Sequence, residues 1–229
     1  VSYNETHVNC HGNSNGEIDI TVTGGTQLYN FDWSNLTSNE DLFNIPTGAY
    51  DVMITDAHNC KDSASVNINE PTEIIFTVNS IDLICNNEFE GEILIAGSGG
   101  TPGYSYSIDG EGTYSNGSDF LNLQAGNYSV WIQDAKGCKK NQTVVLNQPI
   151  GFSTIVDIQN IEGCNGDATG IIDFSINGNT SPYTYKWTTV PEENTSSIYN
   201  LSSGNYEVEV TDANSCEMTY SYFVSEPEA

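Results

Sequence analysis

The chain contains no arginine, and its five lysines face 31 acidic residues, which leaves a formal net charge of −26. Binding nucleic acid or an anionic membrane surface requires Lys and Arg to neutralise phosphates, so neither is an expected partner. Divalent cations are the natural counterions, although an acidic surface by itself also keeps a secreted protein soluble. No stretch approaches the roughly 20 apolar residues of a membrane-spanning helix, and no 3.6-residue helical pattern runs over a useful length. The six cysteines include no Cys-x-x-Cys pair, which argues against a zinc ribbon or a thioredoxin-type centre. The chain opens on Val1-Ser2-Tyr3 without the basic and apolar segments of a signal peptide. It is expected to be a stretch of a longer protein.

What is present is a unit written three times. The string Leu/Ile-x-x-Gly-x-Tyr-x-Val-x-Ile/Val-x-Asp-Ala-x-x-Cys recurs at Tyr50, Tyr128 and Tyr206, steps of 78 and 78, and Asp56, Asp134, Asp212 and Cys60, Cys138, Cys216 keep that step. The front half repeats more loosely. Cys10, Cys85 and Cys164 are each followed six residues later by Gly16, Gly91 and Gly170, then by Gly24-Gly25-Thr26, Gly99-Gly100-Thr101 and Gly178-Asn179-Thr180. Aromatic alternations follow (Tyr29-x-Phe31-x-Trp33, Tyr104-x-Tyr106-x-Ile108, Tyr183-x-Tyr185-x-Trp187), and each unit closes on Glu70-Pro71, Gln148-Pro149 or Glu226-Pro227. A repeat of this length has to be one small domain, and its function has to suit an array. The expected boundaries are 1–71, 72–149 and 150–229.

Short period-2 runs of Val, Ile, Thr, Tyr and Phe between Gly, Asn, Asp and Pro clusters are strand signals. In the middle unit they place strand A at 74–81, B at 92–96, C at 104–108, E at 120–123, F at 127–133 and G at 142–146. That order predicts an all-β tandem of three Ig-like antiparallel β-sandwiches. Alternation sends Tyr50, Val52 and Ile54 and their equivalents inward, with Trp33 and Trp187 at the centres of their cores. Ile108 in place of tryptophan predicts a smaller middle core. Gly-x-Tyr at the entry to F predicts a tyrosine corner. The short, proline-bearing junctions predict stiff connections, hence a rod of three domains that is monomeric as an isolated fragment.

Together, Cys-x5-Gly, Gly-Gly-Thr-x-x-Tyr-x-aromatic, Asn-Leu/Ile-x-x-Gly-x-Tyr, Asp-Ala-x-x-Cys and the Glu-Pro terminator resemble the SprB repeat family. The resemblance covers all three units and departs at Gly178-Asn179 and at Ala96 to Gly99. It implies very long adhesins of gliding and biofilm-forming Bacteroidota, exported by the type IX system and acting at the outer cell surface. On that basis the chain is expected to be a non-enzymatic stalk segment in surface attachment and gliding motility. The alternative is an array of carbohydrate-binding modules of a secreted protein, with a polysaccharide or a solid surface as partner.

Two cysteines per unit, Cys10 and Cys60, Cys85 and Cys138, Cys164 and Cys216, indicate disulfides formed in an oxidising compartment. Two pairings are open. In an Ig-like order the loop before B and the turn after F lie at opposite poles, about 17–20 Å apart, whereas a disulfide needs Cα atoms within about 7 Å. This favours bonds between neighbouring repeats, Cys10 to Cys138 and Cys85 to Cys216, leaving Cys60 and Cys164 for repeats outside the chain. The other pattern is one bridge inside each unit.

Asp56, Asp134 and Asp212, at the end of F, either accept backbone amides in the turn leading to the cysteine or ligate Ca²⁺. Trp131 falls out of phase with its strand and is expected on the outer face, where it either stacks on a sugar ring or is covered by a neighbouring loop or domain. His7, His11 and His58 do not follow the repeat and read as loop residues. The carboxylate pairs Glu40-Asp41 and Glu192-Glu193 decorate loops rather than a cleft. Asp62-Ser63-Ala64 has the form of an O-glycosylation site used by Bacteroidota.

Overall fold

The computed structural model describes residues 1–228. All regular structure among the described residues is strand. The first repeat contributes β1 (Ser2–Thr6), β2 (Gly16–Thr21), β3 (Asn30–Trp33), β4 (Leu42–Ile45), β5 (Gly48–Thr55) and β6 (Lys61–Ile68). The second contributes β7 (Ile75–Ile81), β8 (Gly91–Ser98), β9 (Ser105–Ser107), β10 (Asp119–Leu123), β11 (Gly126–Gln133) and β12 (Lys139–Leu146). The third contributes β13 (Ser153–Gln159), β14 (Gly170–Asn177), β15 (Thr184–Trp187), β16 (Ser197–Leu201), β17 (Gly204–Thr211) and β18 (Glu217–Val224).

Each repeat forms two three-stranded sheets in one order. Strands one, two and four pair as β1-β2-β4, β10-β8-β7 and β13-β14-β16, and strands three, five and six as β3-β5-β6, β12-β11-β9 and β15-β17-β18. This is the A-B-E and C-F-G arrangement of an Ig-like sandwich.

Contacts gather the chain into two compact units. One comprises Val1–Asn79, Leu94–Ser118 and Tyr128–Val144, and the other Ser80–Ile93, Asp119–Asn127 and the chain from Val145 on. In the first, Ile18, Ile20, Trp33, Val52, Ile54, Val66 and Ile68 make a continuous core. In the second, Ile172, Phe174, Trp187, Val208, Val210 and Val224 do the same. Phe174 stands where Ile20 and Ile95 stand in the other repeats. It gathers Tyr185, Trp187, Tyr220 and Tyr222 at ring-centroid distances of 5.7–6.1 Å, and burial raises the pKa of all three tyrosines.

Period-2 burial explains the register. β2 alternates buried and exposed along its whole length, and β5 buries Tyr50, Val52 and Ile54 against exposed neighbours. Both core tryptophans satisfy their indole N–H, Trp33 Nε1 donating to Asn39 O (2.8 Å) and Trp187 Nε1 to Thr195 O (2.9 Å). The tyrosine corner is present, with Tyr50 Oη donating to Pro46 O and Tyr206 Oη to Ser202 O, both at 2.9 Å. Asn44, Asn122 and Asn200 adopt φ of 54°, 57° and 55°, a left-handed conformation that Asn tolerates better than most residues. In the first and third repeats a register shift in the pairing with the second strand accompanies it.

Ile108 differs from the expectation. β9 ends at Ser107, which is fully buried, and Ile108 is only half-buried. The central place that tryptophan takes in the other repeats is therefore not filled by Ile108.

Candidate functional site: the inter-repeat cysteine joint

The F strands end in a turn that the sequence specifies closely. In each repeat the aspartate Oδ1 accepts two amides of that turn: His58 N and Cys60 N on Asp56 (2.9 and 2.8 Å), Lys136 N and Cys138 N on Asp134 (both 2.9 Å), Asn214 N and Cys216 N on Asp212 (both 2.8 Å). The other oxygen, Oδ2, reaches across the repeat to the loop between the second and third strands. There it accepts Thr26 N (3.0 Å), Thr101 N (2.8 Å) or Thr180 N (3.1 Å). The same loop is closed by a tyrosine, Tyr29 Oη donating to Gly24 O (2.7 Å), Tyr104 to Gly99 O (2.5 Å) and Tyr183 to Gly178 O (2.6 Å). Asp56 is held below the usual carboxylate range, first by the Thr26 amide and then by the Cys60 amide, with burial opposing.

Three amides on each carboxylate give the aspartates a structural role. Among the described residues no group of three or more His, Cys, Asp or Glu side chains comes together to hold a metal ion. Backbone amides thus occupy both oxygens of Asp56, Asp134 and Asp212.

At the opposite end of each repeat, the loop before the second strand carries the other cysteine and is tied to the closing Glu/Gln-Pro. Gly12 N donates to Glu70 Oε2 (2.6 Å), Asn87 N to Gln148 Oε1 (2.9 Å) and Gly166 N to Glu226 Oε2 (2.8 Å). In the second and third repeats an Asn amide also donates to the proline carbonyl, Asn86 to Pro149 O (2.9 Å) and Asn165 to Pro227 O (3.1 Å). The punctuation that marks the repeat in the sequence is thus what holds the cysteine loop.

Turn and loop meet in two disulfides. Cys10 is bonded to Cys138 and Cys85 to Cys216, each with Cα atoms 5.6 Å apart. Of the two pairings the sequence left open, the structure has the one between neighbouring repeats. Each bond lies within one compact unit, the first in that of Val1–Asn79 and the second in that containing Ser80–Ile93. The turn sulfur rests against the carbonyl that precedes the loop cysteine, Cys138 Sγ 3.4 Å from Asn9 O and Cys216 Sγ 3.6 Å from Ile84 O. Loops of 128 and 131 residues are closed, which in the chain-entropy model is worth about 5 kcal/mol each. Lys140 pairs with Glu73 (2.6 Å) beside the first joint and lowers the Glu73 pKa. Its counterparts at the second joint are Met218 and Gly151, so this ion pair is not part of the recurring design. Of the six cysteines expected in disulfides, Cys60 and Cys164 are free and exposed.

Trp131 is half-buried rather than displayed, and its Nε1 donates to Ser129 Oγ at 2.9 Å. His7, His11 and His58 are spread over separate hydrogen bonds, to Asn69, Glu70 and Thr26. Sequence reasoning missed the reach of the aspartate to the Gly-Gly-Thr loop and the tyrosine closure of that loop. The signal was available, because Gly-Gly-Thr-x-x-Tyr and Asp-Ala recur together in every unit.

The sheets define a tandem of Ig-like antiparallel sandwiches. The SprB repeat model matches residues 2–38, 77–113 and 157–191, one segment in each of the three units. The matched segments run as far as the third strand of each repeat, and the Tyr-x-Val-x-Ile/Val-x-Asp-Ala-x-x-Cys half lies beyond them. No curated protein matches the sequence. Among solved structures, the N-terminal eight Ig domains of Down Syndrome Cell Adhesion Molecule align over 86% of this chain at 12% identity and a TM-score of 0.41, and the chain spans 32% of that structure's length. A complex of Dpr2 Ig1-Ig2 with DIP-Theta Ig1-Ig3 aligns over 97% of this chain and 96% of the other at 11% identity and a TM-score of 0.35. A tetra-tandem repeat from the extending region of a large adhesion protein aligns over 96% and 72% at 12% identity and a TM-score of 0.24. None of these likenesses is close enough to bear on function.

Proposed function

We propose that the chain is a stalk segment of a large extracellular adhesin, in which domains 1–71, 72–149 and 150–229 act as spacers rather than as enzymes or separate binding modules. The proposal includes display at the outer cell surface and service in surface attachment and gliding. The observation that carries it is the joint: the same loop, turn and disulfide connect successive repeats twice over. A covalent link between neighbours suits a filament under tension, and disulfides persist in an oxidising, extracellular setting.

Small-angle scattering on the oxidised fragment tests the spacer reading. A maximum dimension several times the width of one sandwich is expected, and a compact particle no larger than its packed volume requires would end it. A glycan array bound by the native fragment but not by Trp131→Ala would instead favour the carbohydrate-binding alternative.

A further inference from the structure

We propose that Cys60 and Cys164 are the two halves of one further joint, so that the partner of each is another SprB-type repeat, joined head to tail. This rests on reading the chain as part of a repeat array. The two formed joints supply the comparison. In both, one cysteine comes from the loop before a repeat's second strand and the other from the turn after the next repeat's fifth strand, never like with like.

Cys60 occupies the turn position of Cys138 and Cys216. Its N–H is held on Asp56 Oδ1 at 2.8 Å, and its carbonyl accepts Asp56 N at 2.9 Å, matching the 2.9 and 3.0 Å around Cys138. Cys164 occupies the loop position of Cys10 and Cys85, with that loop already tied down by Gly166 N on Glu226 and Asn165 on Pro227 O. Coverage differs. Cys138 and Cys216 are 9% and 4% exposed and their loop partners half-buried, whereas Cys60 and Cys164 are both open to solvent. A prebuilt turn with no loop and a prebuilt loop with no turn are complementary, and each lacks the element the other presents.

Bond formation is thiol–disulfide exchange. A thiolate of one half attacks a small disulfide such as oxidised glutathione and releases one glutathione thiol. The second thiolate then displaces the other glutathione, so that two protein thiols and one glutathione disulfide give one protein disulfide and two glutathione thiols. Because the contact is heterologous, copies propagate rather than close as a symmetric pair.

The test uses the whole fragment in a glutathione redox buffer. Native protein should form a ladder whose new bridge, by non-reducing peptide mapping, is Cys164 to Cys60. The exposed variants Cys60→Ser and Cys164→Ser should each remain monomeric alone. Mixed together they should give a single dimer, through Cys164 of the first and Cys60 of the second. Self-dimers of Cys60→Ser or Cys164→Ser forming as readily as the mixed dimer would overturn the proposal, as would no mixed dimer in protein whose two internal bridges have formed. The stalk reading stands or falls separately, on the dimensions of a single fragment.

Discussion

The glycine six residues after each leading cysteine shows how one atom can fix a residue type. A Cβ on Gly16 would come 2.7 Å from Ile68 Cγ2 and 2.9 Å from Ile45 O. On Gly91 it would meet Leu146 Cδ1 and Leu123 O at 2.7 and 2.9 Å, and on Gly170 Val224 Cγ1 and Leu201 O at 2.6 and 3.0 Å. None of the three has a positive φ, so the constraint is close packing and not conformational strain. The side-chain methyls could shift, but the carbonyl oxygens belong to a paired strand. Gly170→Ala should therefore lower the unfolding free energy by about 1–3 kcal/mol, the usual cost of overpacking. Gly204→Ala, with open space at its Cβ, should stay within about 0.5 kcal/mol. Chemical denaturation measures both, and equal effects at the two sites would refute the packing argument. The recurrence of these glycines was legible in the sequence. Their reason was not, because it depends on a strand about 30 residues away and on a terminal residue of the last strand.

Strands were easier to read than the loops between them. Tyr50-x-Val52-x-Ile54 states its own inward face, since alternation is local, and the observed strands of the middle repeat fall within a few residues of their expected ends. Trp131 shows the limit. Alternation correctly takes it off the core face, but not its partial cover or its bond to Ser129. The aspartate bridge from turn to loop was missed for the same reason, as its partners are 30 or more residues apart. That bridge also predicts a pH dependence. The Asp56 carboxyl is depressed in the folded state, first by the Thr26 amide, while in the unfolded chain it titrates near the ordinary value of about 3.9. Its contribution is therefore fully present above that value and is lost as pH falls through the lower, folded pKa. The stability of native protein should fall on acidification below about pH 4, and Asp56→Asn should flatten part of that slope. Superimposable pH profiles for native and variant protein would rule the contribution out.

For the molecule as a whole, the two disulfides overlap in sequence: Cys85 lies inside the loop closed by Cys10 and Cys138, and Cys138 inside the loop closed by Cys85 and Cys216. Pulled from its ends after every strand has melted, the oxidised chain would carry load by its shortest covalent route. That route enters at Cys10, crosses to Cys138, runs backwards to Cys85 and crosses to Cys216. It contains the 53 residues between 85 and 138, in place of the 206 between 10 and 216, so 153 residues carry no load. At 3.3–3.6 Å per extended residue this amounts to about 500 Å of contour length. Single-molecule extension should gain that length in reductant, and an equal final length with and without reductant would contradict the interlaced bonding. How far such a tether can be drawn out is then decided by the redox state of its surroundings, however hard it is pulled.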